Sequence, residues 1–200
     1  MTGQLGFLEE PGTKERVTVP SVVKRLNADV RARVERVKIL VLDVDGVMTD
    51  GRLIYHDDGT ESKAFDVRDG HGIKMLNQAG IETALISGRS SPLVEKRASD
   101  LGITEVTQGV RDKIPVLEKL LSKKRLKLEE VAFVGDDVVD LPVMARVGFA
   151  VVVADASEHL FDIGHYVTLA PGGRGAVREV AELILAVQGL WSQVARIYFE

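Results

Sequence analysis

VKILVLDVDGVMT, residues 37–49, decides the fold. Its first six residues are apolar apart from Lys38 and rich in β-branched side chains, and Asp and Gly end the run. Such a run reads as a strand buried on both faces of a parallel sheet. Asp43, Val44, Asp45 and Gly46 follow at once. Desolvating two carboxylates inside a strand is expensive, so they belong at its C-terminal mouth, where open α/β sheets place ligands. Asp43 and Asp45 are two apart, and near-extended backbone would send both side chains to one side. Gly46 lets the chain turn tightly. The stretch reads as a reactive site.

Upstream, Val22, Val23, Leu26, Val30, Val34 and Val37 recur at helical spacing behind Pro20 and Ser21, which predicts one amphipathic helix leading into the strand. Residues 1–19 have no clear period and contain Gly3, Gly6, Pro11 and Gly12, and read as a mobile extension. Downstream, Asp57-Asp58-Gly59-Thr60 lies between short segments 52–56 and 61–66, a β-hairpin signal spanning 51–66. An isolated hairpin is barely stable in water, so this one is expected to need a partner, such as another subunit.

From Gly70 the chain alternates helix and strand. Helices are predicted over 72–79, 92–101, 112–124 and 141–147, with a helical turn at 156–161. Strands are predicted at 81–86, 103–107, 131–134, 149–153 and 166–169. Gly172-Gly173-Arg174-Gly175 opens a last helix, apolar at Val177, Val180, Leu183, Ile184 and Val187. The expected architecture is a single α/β domain over 20–189, a doubly wound, mostly parallel sheet with right-handed crossovers, followed by a tail at 190–200.

Composition bounds the function. Two hundred residues, 45% hydrophobic and 28% charged, suit one soluble globular domain. A net charge of −4 argues against nucleic acid or an anionic membrane as the main partner. There is no cysteine, which excludes disulfides and thiolate metal sites. No apolar run approaches the roughly 18–20 residues of a membrane span, and the N-terminus lacks the apolar core of a signal peptide. A cytoplasmic location is expected.

Three predicted strands end in polar residues at one mouth: Asp43/Asp45, Ser87 and Asp136/Asp137. Lys113 stands in the first turn of a helix within reach. Carboxylates from two strand ends suit Mg²⁺, which takes one or two carboxylates plus water and phosphate oxygens. Ser87 and Lys113 suit a phosphoryl group, as donor and as charge. Phosphate-monoester hydrolysis needs acceleration of up to ~10²¹-fold, roughly 28 kcal/mol, whereas one acid or base supplies about 10²–10⁴-fold. Nucleophile, metal, cation and proton donor must therefore act together. In that scheme Asp43 attacks phosphorus to form an aspartyl-phosphate. Asp45 protonates the leaving alkoxide and then deprotonates the hydrolytic water.

DVDGV at 43–47, Ser87 after a strand, Lys113 and GDDxxD at 135–140 resemble the four motifs of the haloacid dehalogenase phosphohydrolase superfamily. SKAFDVRDGHG at 62–72, SGRSS at 87–91 and GGRGAVREV at 172–180 resemble the narrower 3-deoxy-D-manno-octulosonate 8-phosphate phosphatase family, a match covering most of 37–189. The resemblance implies phosphate-ester hydrolysis of an eight-carbon sugar acid in lipopolysaccharide precursor synthesis. It implies Mg²⁺ on the Asp43 side chain, the Asp45 main-chain carbonyl and the Asp136 side chain, with Asp137 and Asp140 orienting the ligand or Lys113. It also implies a homotetramer without a large cap, built around the hairpins. Lys63, Arg68, Arg89 and Arg174 are the candidate contacts for the sugar acid's carboxylate and hydroxyls, Arg being suited to bidentate carboxylate binding. Family tails reach into a neighbour's site; here Trp191, Tyr198 and Phe199 depart from the smaller, polar tail of the family.

Plainer readings stand beside these. Ser87-Gly88 also reads as a simple strand–helix turn, and Lys113 as one solvated lysine among Lys119, Lys123 and Lys124. Asp137 reads equally as a helix cap, and 172–175 as a flexible helix entry or an anion-binding nest. The tail at 190–200 reads as a docked or frayed terminus. His56, His71, His159 and His165 have no metal-ligand spacing. Rival functions are a phosphatase for a nine-carbon sialic-type acid 9-phosphate, a phosphorylatable receiver domain and a non-catalytic oligomerisation module. Asp45, an acid/base two residues from the nucleophile, favours turnover over a long-lived signal.

Overall fold

The computed structural model describes residues 19–196, and all but the last residue of the expected extension at 1–19 lies outside them. β1 (Ile39–Leu42) is fully buried, as its apolar run requires. It pairs in parallel with β4 (Glu82–Ile86), Leu42 opposite Leu85, and with β6 (Val131–Gly135), Leu42 opposite Val134. With β5 (Glu105–Thr107), β7 (Phe149–Val152) and β8 (Tyr166–Val167) the order is β5-β4-β1-β6-β7-β8, parallel throughout. This is the doubly wound α/β sheet. The winding reverses between β1 and β6, where such sheets open a crevice.

Strand side chains alternate between two apolar layers. Leu40, Leu42, Leu85 and Val134 pack under α2 (Ala28–Glu35), α3 (Val67–Gln78), α4 (Pro92–Leu101) and α7 (Ala176–Val187). Ile39, Val41, Ile86 and Phe133 face α5 (Ile114–Lys124) and α6 (Leu141–Met144). After β1 come the two short antiparallel strands β2 (Ile54–Tyr55) and β3 (Glu61–Ser62), closed by a turn in which Thr60 N donates to Asp58 Oδ1 at 2.9 Å. This is the expected hairpin, though with only two residues in each strand.

Several boundaries moved for identifiable reasons. The N-terminal helix is two, α1 (Val19–Arg25) and α2, because Asn27 breaks the run and its side chain caps α2 through Val30 N at 2.8 Å. α3 begins at Val67, not 72, with Asp66 as N-cap accepting from Arg68 N at 2.6 Å. The segment 141–147 keeps only the four-residue α6 after a 3₁₀ turn at Val138–Asp140. The tail forms α8 (Trp191–Ala195), whose Val194 is buried in the core. Up to Arg196 this segment packs on its own chain, and Tyr198 and Phe199 lie outside the described residues.

Candidate active site

The mouth of β1 does not stay extended. Residues 45–48 turn, with Met48 N and Thr49 N both donating to Val44 O, at 2.9 and 3.1 Å. The same-side argument for Asp43 and Asp45 therefore does not describe this backbone. The two carboxylates remain close enough for Asp45 to act on Asp43 electrostatically. Gly46 holds φ +94° and passes against the Asp136 side chain; a Cβ there would overlap that carboxylate. The turn is thereby pressed against the mouth of β6.

Asp43 is buried, and one of its oxygens receives Lys113 Nζ. Lys113, itself buried just ahead of α5, also donates to Asp140 Oδ1 at 2.6 Å and lies 5.6 Å from the Phe133 ring centroid. Burial acts to lower the Lys113 pKa, but the facing Asp43 and Asp140 charges outweigh it and hold it above its ordinary value. Burial pushes the Asp43 carboxyl up to about 6, with Lys113 opposing and Asp140 adding to the rise. Asp136 is pushed up to about 8, first by burial and then by the charges of Asp43, Asp140 and Asp137.

Asp43, Asp136 and Asp140 each offer an oxygen within 4.8 Å of the others. Asp140 is already committed, through Oδ1 to Lys113 and through Oδ2 to Asp136 N at 3.1 Å. The Asp136 carboxylate has no hydrogen-bond donor among the described residues. Two crowded carboxylates with open oxygens and raised pKa values fit a hard divalent cation. Asp137 is exposed and caps the following turn, accepting from Val138 N at 2.7 Å. Ser87 is buried at the end of β4, its Oγ accepting from Arg89 N at 3.3 Å.

The four expected substrate contacts separate. Lys63 and Arg89 bracket Asp45, Lys63 Nζ on Oδ1 and Arg89 Nε 3.6 Å from Oδ2. Arg174 sits 3.4 Å from Asp50 and Arg68 3.4 Å from Asp66, both largely exposed. Two contacts to Arg89 went unread in the sequence: Glu61 Oε2 at 3.3 Å and Tyr55 OH at 3.4 Å. They are cross-strand partners, so the register of the Asp-Gly turn was the signal that could have found them. The 172–175 segment is a close-approach loop. Gly173 N donates to Val47 O at 2.8 Å, and a Cβ at Gly172 would run into the Gly46 carbonyl.

A haloacid dehalogenase-like hydrolase family model matches residues 67–148, which include Ser87, Lys113, Asp136 and Asp140. The 3-deoxy-D-manno-octulosonate 8-phosphate phosphatase KdsC of Escherichia coli (strain B / BL21-DE3) is 49% identical over 164 residues, 82% of this chain and 87% of that protein. The chain belongs to the 3-deoxy-D-manno-octulosonate 8-phosphate phosphatase family. Solved members of that family superpose closely. The Moraxella catarrhalis phosphatase, in complex with magnesium ion, phosphate ion and a KDO molecule, matches with TM-score 0.82 and 40% identity, covering 84% of this chain and 98% of that one. The cobalt-bound Haemophilus influenzae enzyme matches with TM-score 0.76 and 42% identity, covering 78% and 92%.

Proposed function

We propose that this chain hydrolyses 3-deoxy-D-manno-octulosonate 8-phosphate to the free sugar acid and phosphate, with Mg²⁺, as a cytoplasmic step of lipopolysaccharide precursor synthesis. The observation that carries the reading is Asp43: a buried carboxylate with one oxygen held by Lys113, beside Asp136 at the crevice of the sheet. Family membership and the KDO, phosphate and magnesium bound by the Moraxella relative support the substrate and the metal.

In the mechanism Lys113 fixes one Asp43 oxygen and leaves the other to attack phosphorus. The new Asp43–phosphorus bond forms as the bond to the C8 oxygen breaks, and Asp45 gives that alkoxide its proton. Asp45 then takes a proton from water, which attacks the phosphoryl group, frees phosphate and restores Asp43. Ser87 and Lys113 hold phosphoryl oxygens. Asp43, Asp136 and the Asp45 carbonyl would hold Mg²⁺, which would supply positive charge to the phosphoryl oxygens. Asp140 orients Lys113. Arg89, Arg68 and Arg174 are the guanidinium groups on hand for the sugar acid's carboxylate and hydroxyls. The hairpin, with Leu53, Ile54 and Tyr55 exposed, is taken as the contact of a homotetramer.

The test is phosphate release from a panel of sugar-acid phosphates with Mg²⁺, with and without EDTA. Metal-dependent release fastest for the eight-carbon acid is expected. Equal or faster release from the nine-carbon 9-phosphate overturns the substrate, and no release from any ester overturns the phosphatase reading.

A further inference from the structure

Among the four expected sugar contacts, Lys63 alone has a buried side chain. Its side chain is 1% exposed, so it offers a ligand in the crevice no surface to touch. A buried ammonium is costly without a counter-charge, and the partner it has is Asp45 Oδ1. Among the described residues the other oxygen, Oδ2, meets only the half-exposed Arg89 guanidinium, at 3.6 Å. The two oxygens of Asp45 are thus made unequal, one fixed by a charged hydrogen bond and one left to exchange protons. Lys63 reaches this place because it leaves β3 directly after Ser62, whose Oγ is tied across the hairpin to His56 Nε2 at 2.7 Å.

We propose that Lys63 is a positioning residue for the acid/base: it anchors Asp45 Oδ1 so that Oδ2 faces the leaving oxygen and then the water. This rests on the phosphatase reading given above. Misplacing a reacting group by about 1 Å can cost about 10²-fold, similar to the lower end of what one general acid supplies. An alkyl ester needs its leaving alkoxide protonated, whereas p-nitrophenolate departs without a proton. The loss of Lys63 is therefore felt unequally by the two kinds of ester.

Steady-state kinetics on Lys63→Met and Lys63→Gln test this, with folding followed by circular dichroism. For the sugar-acid phosphate, Lys63→Met is expected to lower kcat about 10²-fold with KM changed less than about threefold. For p-nitrophenyl phosphate the loss is expected to stay below about tenfold. Lys63→Gln, which keeps a donor, retains more of the alkyl-ester turnover, and it carries the ester contrast if Lys63→Met does not fold. In an Asp45→Asn background Lys63→Met adds less than about threefold, because the group it positions is gone. A raised KM with kcat kept makes Lys63 a substrate contact and overturns the proposal. Equal losses on both esters make it a support of the fold and overturn it too. Wild-type protein active on p-nitrophenyl phosphate but silent on every sugar-acid phosphate overturns the substrate assignment alone. The contrast between β-glycerophosphate and p-nitrophenyl phosphate then still tests Lys63.

Discussion

Asp43 shares Lys113 with Asp140, one cation between two buried carboxylates. Removing the Asp43 charge by Asp43→Asn keeps the volume and leaves Lys113 its bond to Asp140, so the fold should persist while the nucleophile is lost. Phosphate release should fall at least about 10³-fold, since residual acid–base help does not replace the covalent route; activity within tenfold of wild type would count against attack by Asp43. The same crowding makes a metal prediction. Asp43 and Asp136, raised to about 6 and about 8 chiefly by burial, bind protons in the folded metal-free chain that the unfolded chain has released. Their contribution to stability is whole below the unfolded pKa near 4 and is lost as pH rises through about 6 and about 8. Mg²⁺ bound there would compete with those protons and relieve the repulsion that remains when they leave. Its addition should raise the Tm more at pH 8 than at pH 5, and Asp136→Asn should remove most of the increment. Equal shifts at both pH values would contradict the site.

At the scale of elements, the loop behind Asp43 is steered by the segment leading into α7, and α7 is steered by α3. Asp69, buried in α3, accepts from Gly175 N at 3.1 Å and Arg178 N at 2.7 Å, capping α7 from outside its own chain segment. Gly72 lets the helices close, since a Cβ there would lie 3.1 Å from both Ala181 Cβ and Arg178 Cα. Asp69→Ala should cost about 1–3 kcal/mol in urea unfolding, the worth of a lost cap and two part-buried donors left open; a change under about 0.5 kcal/mol would show the cap to be idle. These ties explain what the sequence hid. β1, β4, β6 and β7 could be read because burial on both faces writes an apolar run, and Asp43, Ser87, Asp136 and Lys113 because each stands at the end of an element. The first turn of α3, VRDGH, has charges and a glycine instead of a period, and its helix depends on Asp66 and on docking to α7. The 172–175 segment left two readings open, because Gly172 and Gly173 answer to backbone more than 120 residues earlier, which spacing does not record. The burial of Lys63 is likewise invisible to spacing, because it follows from how the hairpin brings that side chain onto Asp45.

For the molecule as a whole, two appendages bear on the chemistry unequally. The tail's Leu190 N donates to Leu185 O at 2.8 Å and Val194 is buried, so residues 190–196 complete the core. Truncation after Gly189 should lower stability by about 1.5–3 kcal/mol from Val194 alone, with kcat/KM for the sugar-acid ester within about twofold; a larger kinetic loss would place the tail in a site. The hairpin is the opposite case. Its strands have two residues each, and Leu53, Ile54 and Tyr55 are 42, 46 and 64% exposed, too little structure and too much apolar surface to stand alone. Sedimentation should give a mass four times the 21.8 kDa of the chain, and a wild-type monomer would sink the assembly. The double change Leu53→Asp and Ile54→Asp should dissociate it. Because Lys63 leaves the same hairpin for Asp45, dissociation should also lower alkyl-ester turnover more than p-nitrophenyl ester turnover, while circular dichroism stays unchanged. A dissociated variant with full turnover of both esters would mean that the hairpin holds Asp45 without its neighbours, and would separate assembly from proton transfer.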